Sequence, residues 1–441
     1  MTPLARPALL LIVLSILFAV GATAQAETLN VNTFNREFFN WATVHESTFS
    51  FPEQQLYSRV TCTIVISCPP SPNDCDPWDR LGWLRLKHEV EPGVFEDYEL
   101  VRFVTPYDIT YSGGPGTCTW EIDVTDYQFL LHDEVTLKAY IETWMGNDNG
   151  WILNVGFAME QGVPDREPFA IQQLCSGRYV RYGDPETPEE DNLVAVPITV
   201  PQEATWAETK IFATGHGFIN TDNAAEFSNK WQQIWVGTQF QRHNLWRDDC
   251  DANRCSPQLG TWYYNRAGWC PGDKADSWNV DISDWVTPGG THDVRLELQP
   301  YENWCRPNNP DCVDSGSCEC AGHASYHIMG QVVFYRQTTT DVGDGTPAAA
   351  NLHLVGNHPN PFNPQTTIQY HLSRGGSVVL SIFDAEGQLV RSVRRDHADG
   401  GLQSYTWQGQ DDTGRAVPSG MYLYEVRCDG ERAGGKMLLL K

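Results

Sequence analysis

The sequence predicts an all-β protein built from antiparallel sandwiches or barrels. Short runs of residues alternate between apolar and polar side chains, which is the period of a strand with one buried face. Glycine, proline and asparagine separate these runs, as turns between antiparallel strands require. No segment carries the longer repeat of an amphipathic helix. We therefore expect strands to supply the core.

Three runs, residues 61–67, 135–144 and 325–335, show the alternation most clearly. The side chains that we expect to point into a core are Cys62, Ile64, Ile66, Val135, Leu137, Ala139, Ile141, Ile328, Val332 and Phe334. The opposite face of the second run carries Lys138, Tyr140, Glu142 and Trp144. Each run is therefore predicted to be a strand with two chemically different faces.

Two breaks divide the chain into domains. An acidic, proline-containing connector at residues 184–191 separates a first β-domain (27–190) from a second (191–337). Residues 338–350 are rich in Thr, Gly, Asp and Ala and read as a linker. A compact β-rich domain (351–441) follows.

The composition excludes several classes of protein. Hydrophobic residues are 41% and aromatic residues 12% of the 441 residues, which is too apolar for a disordered chain and lacks the pattern of a rod. The formal net charge is −26. Nucleic acids and anionic membrane surfaces are therefore not expected as partners, because both bind clustered lysine and arginine.

Residues 1–26 are predicted to be a secretory signal peptide. Arg6 is the one charged residue before Glu27, an apolar stretch follows it, and the segment ends in Ala24-Gln25-Ala26. These are the three parts of such a peptide. An uncleaved anchor is the alternative, since the uncharged stretch approaches the length of a membrane span. We expect a secreted, extracellular protein, with attachment to the cell surface as a variant of that location.

The 13 cysteines fit an oxidising compartment, in which disulfides form and persist. Cys68 and Cys75 flank a proline-rich stretch, and we predict a local disulfide between them. Two further clusters consist of Cys250, Cys255 and Cys270, and of Cys305, Cys312, Cys318 and Cys320. The odd number leaves at least one thiol, for which Cys428 is the candidate.

Metal chemistry is not predicted. Zinc at the cysteines near His323 is the alternative to disulfides, but their spacing is not that of a zinc motif. His323 and His327 would share a strand face, yet two ligands do not make a site. The sequence also contains no G-x-S-x-G, H-E-x-x-H or phosphate-binding loop. We expect no cofactor.

Carboxylates set among aromatic residues are the candidate functional groups. Glu142 lies between Tyr140 and Trp144 on the outer face of a strand. Aromatic rings on a polar face suit stacking on sugar rings, although a solvated glutamate is the plainer interpretation.

Asp79 and Glu226 are the other two candidates. Asp79 lies just beyond the Cys68–Cys75 loop, which could hold it rigidly, although a surface ion pair with Arg80 is the alternative. Glu226 follows a glycine-rich segment and precedes Phe227.

Five motifs in order make most of the chain similar to a known family. They are Cys75-Asp76-Pro77-Trp78-Asp79-Arg80, Phe103-Val104-Thr105-Pro106-Tyr107, Glu121-Ile122-Asp123-Val124-Thr125-Asp126, Ile141-Glu142-Thr143-Trp144 and Arg266-Ala267-Gly268-Trp269-Cys270-Pro271-Gly272. From about Thr33 to about Arg336 the chain resembles the bacterial secreted peptide-N-glycosidase F family. The resemblance implies two packed antiparallel jelly-roll β-sandwiches with an active site at their interface. It also implies metal-free hydrolysis of the amide bond between Asn and the first N-acetylglucosamine of N-glycans.

The resemblance also implies roles for individual residues. Asp79 takes the place of the family's essential aspartate, and Glu142 and Glu226 take the places of its two supporting glutamates. The residues that would line the site are Trp78, Arg80, Trp144 and Arg266. The disulfides that carry over are Cys68–Cys75 and Cys250–Cys270. The chain departs from the family at His216, Phe218, Ala224 and Ser228, and residues 305–320 form an insertion.

The last domain resembles a different family, the FlgD-type immunoglobulin-like or type IX secretion sorting domain. The motifs are Asn357-His358-Pro359-Asn360-Pro361-Phe362-Asn363-Pro364, the strand at 379–384, Asp411-Asp412-Thr413-Gly414-Arg415 and Ser419-Gly420-Met421-Tyr422. The resemblance implies a C-terminal immunoglobulin-like β-sandwich and type IX secretion machinery as a partner. A plain β-sandwich spacer is the alternative.

The functional hypothesis is a glycoamidase that acts on N-glycosylated proteins or glycopeptides as a monomer. Asp79 would orient or deprotonate water, Glu226 would polarise the carbonyl, and Glu142 would fix the first sugar or relay a proton. Arg80 and Arg266 would offset the repulsion among the carboxylates. The rivals are a non-catalytic carbohydrate-binding protein and a glycosidase with two carboxylates. A copper monooxygenase would need clustered histidines, which the sequence lacks.

Overall fold

The structure is a computed structural model that describes residues 27–110, 113–338, 352–372, 375–385, 387–397, 400–428 and 431–440. The chain divides into two compact units, Met1–Thr340 and Asp341–Lys441. Strands dominate both units, and the predicted all-β class is confirmed. The predicted signal peptide, and the predicted linker apart from Thr338, lie outside the described residues.

The strands of the first unit are numbered in chain order. They are β1 (Thr28–Asn32), β2 (Glu37–Phe39), β3 (His45–Ser50), β4 (Tyr57–Ser67), β5 (Leu81–Glu91), β6 (Val94–Val104), β7 (Thr117–Asp123), β8 (Glu134–Ile141), β9 (Trp151–Gln161), β10 (Glu167–Arg181), β11 (Val196–Thr199), β12 (Trp206–His216), β13 (Lys230–Val236), β14 (Gln239–Leu245), β15 (Asp273–Lys274), β16 (Trp278–Asp281), β17 (Thr291–Leu298) and β18 (Ser325–Arg336). Helical structure in the described residues is limited to α1 (Glu189–Asn192) and short 3-10 turns at Thr125–Leu130, Thr221–Asn223, Cys250–Ala252 and Ser283–Trp285. No helix there is both long and apolar enough to cross a membrane.

The first sandwich packs two antiparallel sheets around one core. One sheet has the order β1-β9-β4-β7, with β2 also paired to β9, and the other has the order β15-β6-β5-β8-β3. The predicted inward residues of β4 and β8 are all buried in this core, as the alternation requires, because successive side chains of a strand point to opposite faces.

The second sandwich is built in the same way. Its sheets have the orders β10-β18-β12-β16 and β11-β17-β13-β14, and its core includes the predicted inward residues of β18. β10 falls inside the range predicted for the first domain, yet it pairs along its length with β18. The change from one sandwich to the other therefore comes between Gln161 and Glu167, before the acidic connector.

Strand β18 is buried on both faces. Its second face lies against the first sandwich, where the Gln331 side-chain amide donates to the Glu99 carbonyl at 3.1 Å. From the other side, Arg102 donates to the His327 carbonyl at 2.6 Å. Arg102 also pairs with the fully buried carboxylate of Glu99. A polar network thus joins the two sandwiches.

Disulfides tie the loops of the first unit together. The five among the described residues are Cys68–Cys75, Cys118–Cys255, Cys250–Cys270, Cys305–Cys318 and Cys312–Cys320. The first and third are the two pairings expected from the sequence. Cys62, Cys175 and Cys428 keep their thiols.

The second unit is a smaller sandwich with its own core. Its strands are β19 (Leu352–His358), β20 (Thr366–Leu372), β21 (Gly376–Phe383), β22 (Leu389–His397), β23 (Gly401–Trp407), β24 (Gly420–Cys428) and β25 (Glu431–Leu439). The sheet orders are β19-β20-β23 and β22-β21-β24-β25. This is the immunoglobulin-like β-sandwich that the sequence predicts.

Candidate active site

Asp79 lies in a short loop between the Cys68–Cys75 disulfide and the start of β5. Both sides of the loop are bonded to Thr105, just past the end of β6. The Thr105 hydroxyl donates to the Trp78 carbonyl at 3.0 Å and accepts from the Arg80 N–H at 2.7 Å. The loop is therefore held by the residue that follows β6 as well as by a covalent bridge.

Arg80 is oriented by a buried carboxylate that the sequence analysis did not select. The Arg80 Nε donates to Asp76 Oδ2 at 2.7 Å, and the Thr143 hydroxyl donates to the same oxygen at 2.7 Å. Asp76 is fully buried. The guanidinium then lies 5.0 Å from the ring centroid of Trp144. Asp76 thus positions the contact between Arg80 and Trp144.

Glu226 lies in the turn that follows β12. Its N–H donates to the Gly217 carbonyl at 3.1 Å, and its own carbonyl accepts from the Ala267 N–H at 2.9 Å. Gly217 has a φ of +97°, and a Cβ there would lie 2.3 Å from the His323 carbonyl oxygen. Glycine is therefore required, since an L side chain would be strained and would also clash.

Arg266 joins Glu226 to the neighbouring loop. Its Nε donates to Glu226 Oε1 at 3.0 Å. One terminal nitrogen donates to the carbonyls of both Thr261 at 2.9 Å and Tyr264 at 2.7 Å. The side chain is fully buried. The Cys250–Cys270 disulfide brackets the segment that carries this arginine.

Asp79 and Glu226 share one electrostatic environment although they come from different sandwiches. Burial raises the pKa of Asp79 to about 6, against the opposing effects of Arg266, a Tyr107 hydrogen bond and Arg80. Burial also raises the pKa of Glu226 to about 7; Arg266 opposes this, and the negative charge of Asp79 adds to it. Two carboxyl groups with raised and separate pKa values suit acid–base chemistry near neutral pH.

Tyr107 is a site residue that the sequence analysis quoted in a motif without giving it a role. Its hydroxyl donates to Asp79, and burial, together with the charges of Asp79 and Glu226, raises its pKa. Its ring centroid lies 6.4 Å from that of Trp78. The signal for Tyr107 was its place just beyond the end of a buried strand, next to a proline.

Glu142 lies close enough to Arg80 for the charge of the guanidinium to act on it. It follows the last residue of β8, and its N–H donates to the Leu81 carbonyl at 2.9 Å. Its side chain lines a cavity of about 210 Å³ between the two sandwiches, whose other lining residues include Arg85, Tyr140 and His327. Burial raises the pKa of Glu142, and Arg80 opposes that effect. Arg80 therefore interacts with both Asp79 and Glu142.

His216 is partly buried beside the site. Its ring stacks on Trp269 at 5.2 Å and meets the His327 ring edge-on at 4.9 Å. Burial lowers the pKa of His216 well below its usual value and that of His327 to about 4. Both rings are thus neutral at neutral pH. His323 precedes β18, so the expectation that it shares a strand face with His327 is wrong.

The structure brings most of the predicted site residues to the junction of the two sandwiches. Asp79, Glu226 and Arg266 form one group, and Arg80, Glu142 and Trp144 form a second group beside it. Trp78 and Trp144 are 57% and 47% exposed, and their rings face solvent next to these groups.

The sulfur atoms of Cys312, Cys318 and Cys320 lie within 4.8 Å of one another, as metal ligands would. All three belong to disulfides, so the thiolates that zinc requires are not present.

Comparison with known proteins points to the same family as the sequence motifs. The family described as Peptide-N-glycosidase F, C terminal, matches residues 185–316. Peptide-N(4)-(N-acetyl-beta-D-glucosaminyl)asparagine amidase F from Elizabethkingia miricola is 29% identical over 301 residues, which are 65% of this chain and 81% of that protein. The predicted resemblance to the peptide-N-glycosidase F family is confirmed.

Solved structures extend the peptide-N-glycosidase F resemblance to the fold. PNGase F, a glycosylasparaginase from Flavobacterium meningosepticum, is 27% identical with a TM-score of 0.57, and the match covers 71% of this chain and 97% of that one. PNGF-II is similar in fold, with a TM-score of 0.54 at 14% identity, over 72% of this chain and 66% of that one. The FlgD Ig-like domain family matches residues 363–431, so the second predicted resemblance is confirmed too.

Proposed function

We propose that this protein is a glycoamidase that hydrolyses the amide bond between Asn and the first N-acetylglucosamine of N-linked glycans. The observation that carries the proposal is the pairing of Asp79 and Glu226 around Arg266 and Tyr107. The raised pKa values of these two carboxyl groups supply one base and one acid near neutral pH. The peptide-N-glycosidase F resemblance supplies the substrate class.

The two carboxyl groups take different roles because their pKa values differ. Asp79, with the lower pKa, accepts a proton from a water molecule whose oxygen adds to the amide carbonyl carbon. The C–N bond then breaks, and the leaving amine takes the proton of Glu226. The products are an amino sugar and an aspartate residue. Proton exchange with water then returns Asp79 to its ionised form and Glu226 to its protonated form.

The neighbouring groups bind the sugar and the developing charge. Arg266 is buried and bonded to Glu226, so it stabilises negative charge next to the carbonyl. Trp144 offers an exposed ring face for a sugar. Glu142 and Arg80 supply the polar contacts that fix the first sugar.

The test is digestion of one N-glycopeptide in water enriched in heavy oxygen. We expect the asparagine to become an aspartate that carries the label, and the intact glycan to be released. Asp79→Asn should lower kcat by at least about 10², the scale of general base catalysis. Asp133→Asn, at an exposed aspartate before β8, is the matched control and should keep full activity.

The product distinguishes the rivals. A glycosidase would leave a sugar on the asparagine. A carbohydrate-binding protein would retain the glycopeptide without converting it, and the exposed tryptophans are the observation that favours this second candidate. Either result from the wild-type protein would reject the amidase.

We also propose that the chain is exported, with the C-terminal domain as the signal for type IX machinery. The apolar N-terminal segment and the FlgD Ig-like match support this location. Sequencing of the protein recovered from the culture medium should find Glu27 at its start, and retention of Met1 in a membrane fraction would contradict cleavage.

A further inference from the structure

A row of aromatic side chains borders the carboxyl pair from the second sandwich. It consists of Phe218, Phe227, Tyr264 and Tyr263, and we refer to it as the aromatic row. The ring centroids of successive members are 6.0, 6.4 and 4.6 Å apart. Three members are about half exposed, at 52%, 48% and 47% for Phe218, Tyr264 and Tyr263. A contiguous exposed aromatic surface of this kind indicates a binding site.

The aromatic row begins at the reacting groups. Phe227 directly follows Glu226, and the Arg266 guanidinium lies 4.8 Å from its ring centroid. The same guanidinium bonds both the Glu226 carboxylate and the Tyr264 carbonyl. The aromatic row therefore lies within reach of a molecule bound at the carboxyl pair.

A second set of contacts holds the start of the row in place. The segment after Phe218 contains Ile219, whose carbonyl accepts from the Glu319 N–H at 2.7 Å. Thr221 accepts from the Trp304 N–H at 2.9 Å and, at its carbonyl, from the Tyr301 hydroxyl at 2.5 Å. These donors lie in or beside the insertion with two disulfides. These hydrogen bonds therefore fix the position of the segment where the row starts.

The substrate of the proposed reaction has two arms, a glycan and a polypeptide, that leave the scissile amide in different directions. The group of Arg80, Glu142 and Trp144 combines a ring face with charged hydrogen-bonding groups, as sugars require. The aromatic row offers four rings and only two hydroxyls. Such surfaces bind polypeptides of varied sequence, because tyrosine and phenylalanine give large contacts at low entropic cost.

We propose that the aromatic row binds the polypeptide of the substrate next to the glycosylated asparagine. This inference rests on the proposed function. It assigns the substrate's two arms to the two sandwiches: the glycan to the group around Trp144 and the polypeptide to the row around Tyr264.

The test compares two substrates that carry the same glycan, a long glycopeptide and a single glycosylated asparagine with capped termini. For Phe218→Ala and Tyr264→Ala, kcat/KM should fall about tenfold more on the long glycopeptide than on the capped amino acid, as for one interface anchor. The deglycosylated peptide should inhibit the wild type more strongly than it inhibits either variant.

Phe240→Ala is the matched control, because Phe240 is 51% exposed on β14 and lies outside the row. It should leave the ratio between the two substrates unchanged. Equal losses on both substrates in the row variants would overturn the inference alone. A wild-type protein that cleaves neither substrate would overturn the proposed function and this inference together.

Discussion

At the scale of residues, the site depends on how burial and one arginine act together on two acids. Burial alone would keep Asp79 and Glu226 protonated, and Arg266 alone would ionise both. Their combination leaves pKa values of about 6 and about 7. The pair therefore titrates in two steps, and between those two pKa values one carboxyl group is ionised while the other keeps its proton.

The pH profile follows from these values. Asp79 must be ionised, so kcat/KM should rise as the pH passes about 6, and Glu226 must be protonated, so it should fall above about 7. Tyr107→Phe removes a hydrogen bond that favours the ionised form of Asp79. The rising limb should then move to higher pH by about one pH unit, the value of one hydrogen bond to a charged group.

The measurement is kcat/KM on one glycopeptide across the pH range. Tyr179→Phe changes a half-exposed tyrosine and should give the wild-type profile. A rising limb that stays in place, or moves to lower pH, in the Tyr107 variant would show that Asp79 is not the group responsible.

At the scale of elements, the turn after β12 decides whether Glu226 reaches the site. Its backbone passes so close to the loop before β18 that no side chain fits at Gly217. The same turn contains Ile219, Asp222 and Asn223, which all have positive φ. Strain of this kind persists where the surroundings fix it, and it is common next to active sites.

Gly217→Ala should therefore destabilise the protein by several kcal/mol and abolish activity. Gly237 is a matched control, because it also has a positive φ of +59°, but a Cβ there would have no atom within 4 Å. Gly237→Ala should cost only about 1 kcal/mol, the strain of a left-handed residue. Urea unfolding measures the stability of both variants, and equal losses of stability would contradict the clash at Gly217.

At the scale of the whole molecule, the first unit works as one body because the two sandwiches share buried charges. Arg102 is almost completely buried, pairs with Glu99 and bonds across the junction to Thr214 and His327. Two of the predicted catalytic groups come from the first sandwich and one from the second. Any shift between the sandwiches would separate Asp79 from Glu226.

Arg102→Ala should cost about 3 kcal/mol, the low end for breaking a buried ion pair, because the buried Glu99 carboxylate keeps Arg85 as its second partner. The thermal midpoint should fall accordingly, and residual activity should fall with it even where the protein stays folded. The surface pair of Arg59 and Asp123, both more than half exposed, provides the comparison, since Arg59→Ala should change stability by less than about 1 kcal/mol. Similar losses in the two variants would mean that the junction is not fixed by Arg102.

The sequence predicted much of this architecture for a clear physical reason. The alternation at β4, β8 and β18 located the inward faces of both sandwiches, because burial of one face sets that pattern. It did not show that the other face of β18 is buried too, against the first sandwich. From the sequence alone, Gln331 on that face would be expected to face solvent, because its hydrogen-bond partner Glu99 is far away in the chain.

The residues of the candidate site likewise fall into those that the sequence indicated and those that it did not. Local pattern and family resemblance selected Asp79, Glu142 and Glu226. They missed Asp76 and Tyr107, which contact Thr143 and Asp79 in other loops, and the aromatic row, whose members come from two separate loops. No spacing in the chain encodes such contacts.

By itself, the sequence determined the strand class, the buried faces and the local disulfide, since each depends on near neighbours along the chain, and its family resemblance selected the acidic residues that we propose to carry the chemistry. Only the tertiary structure decided which acids meet, which of them hold a proton, and which aromatic surfaces adjoin them. Burial and charge act through space, so a pKa near neutrality arises only after the two sandwiches close around the carboxyl groups.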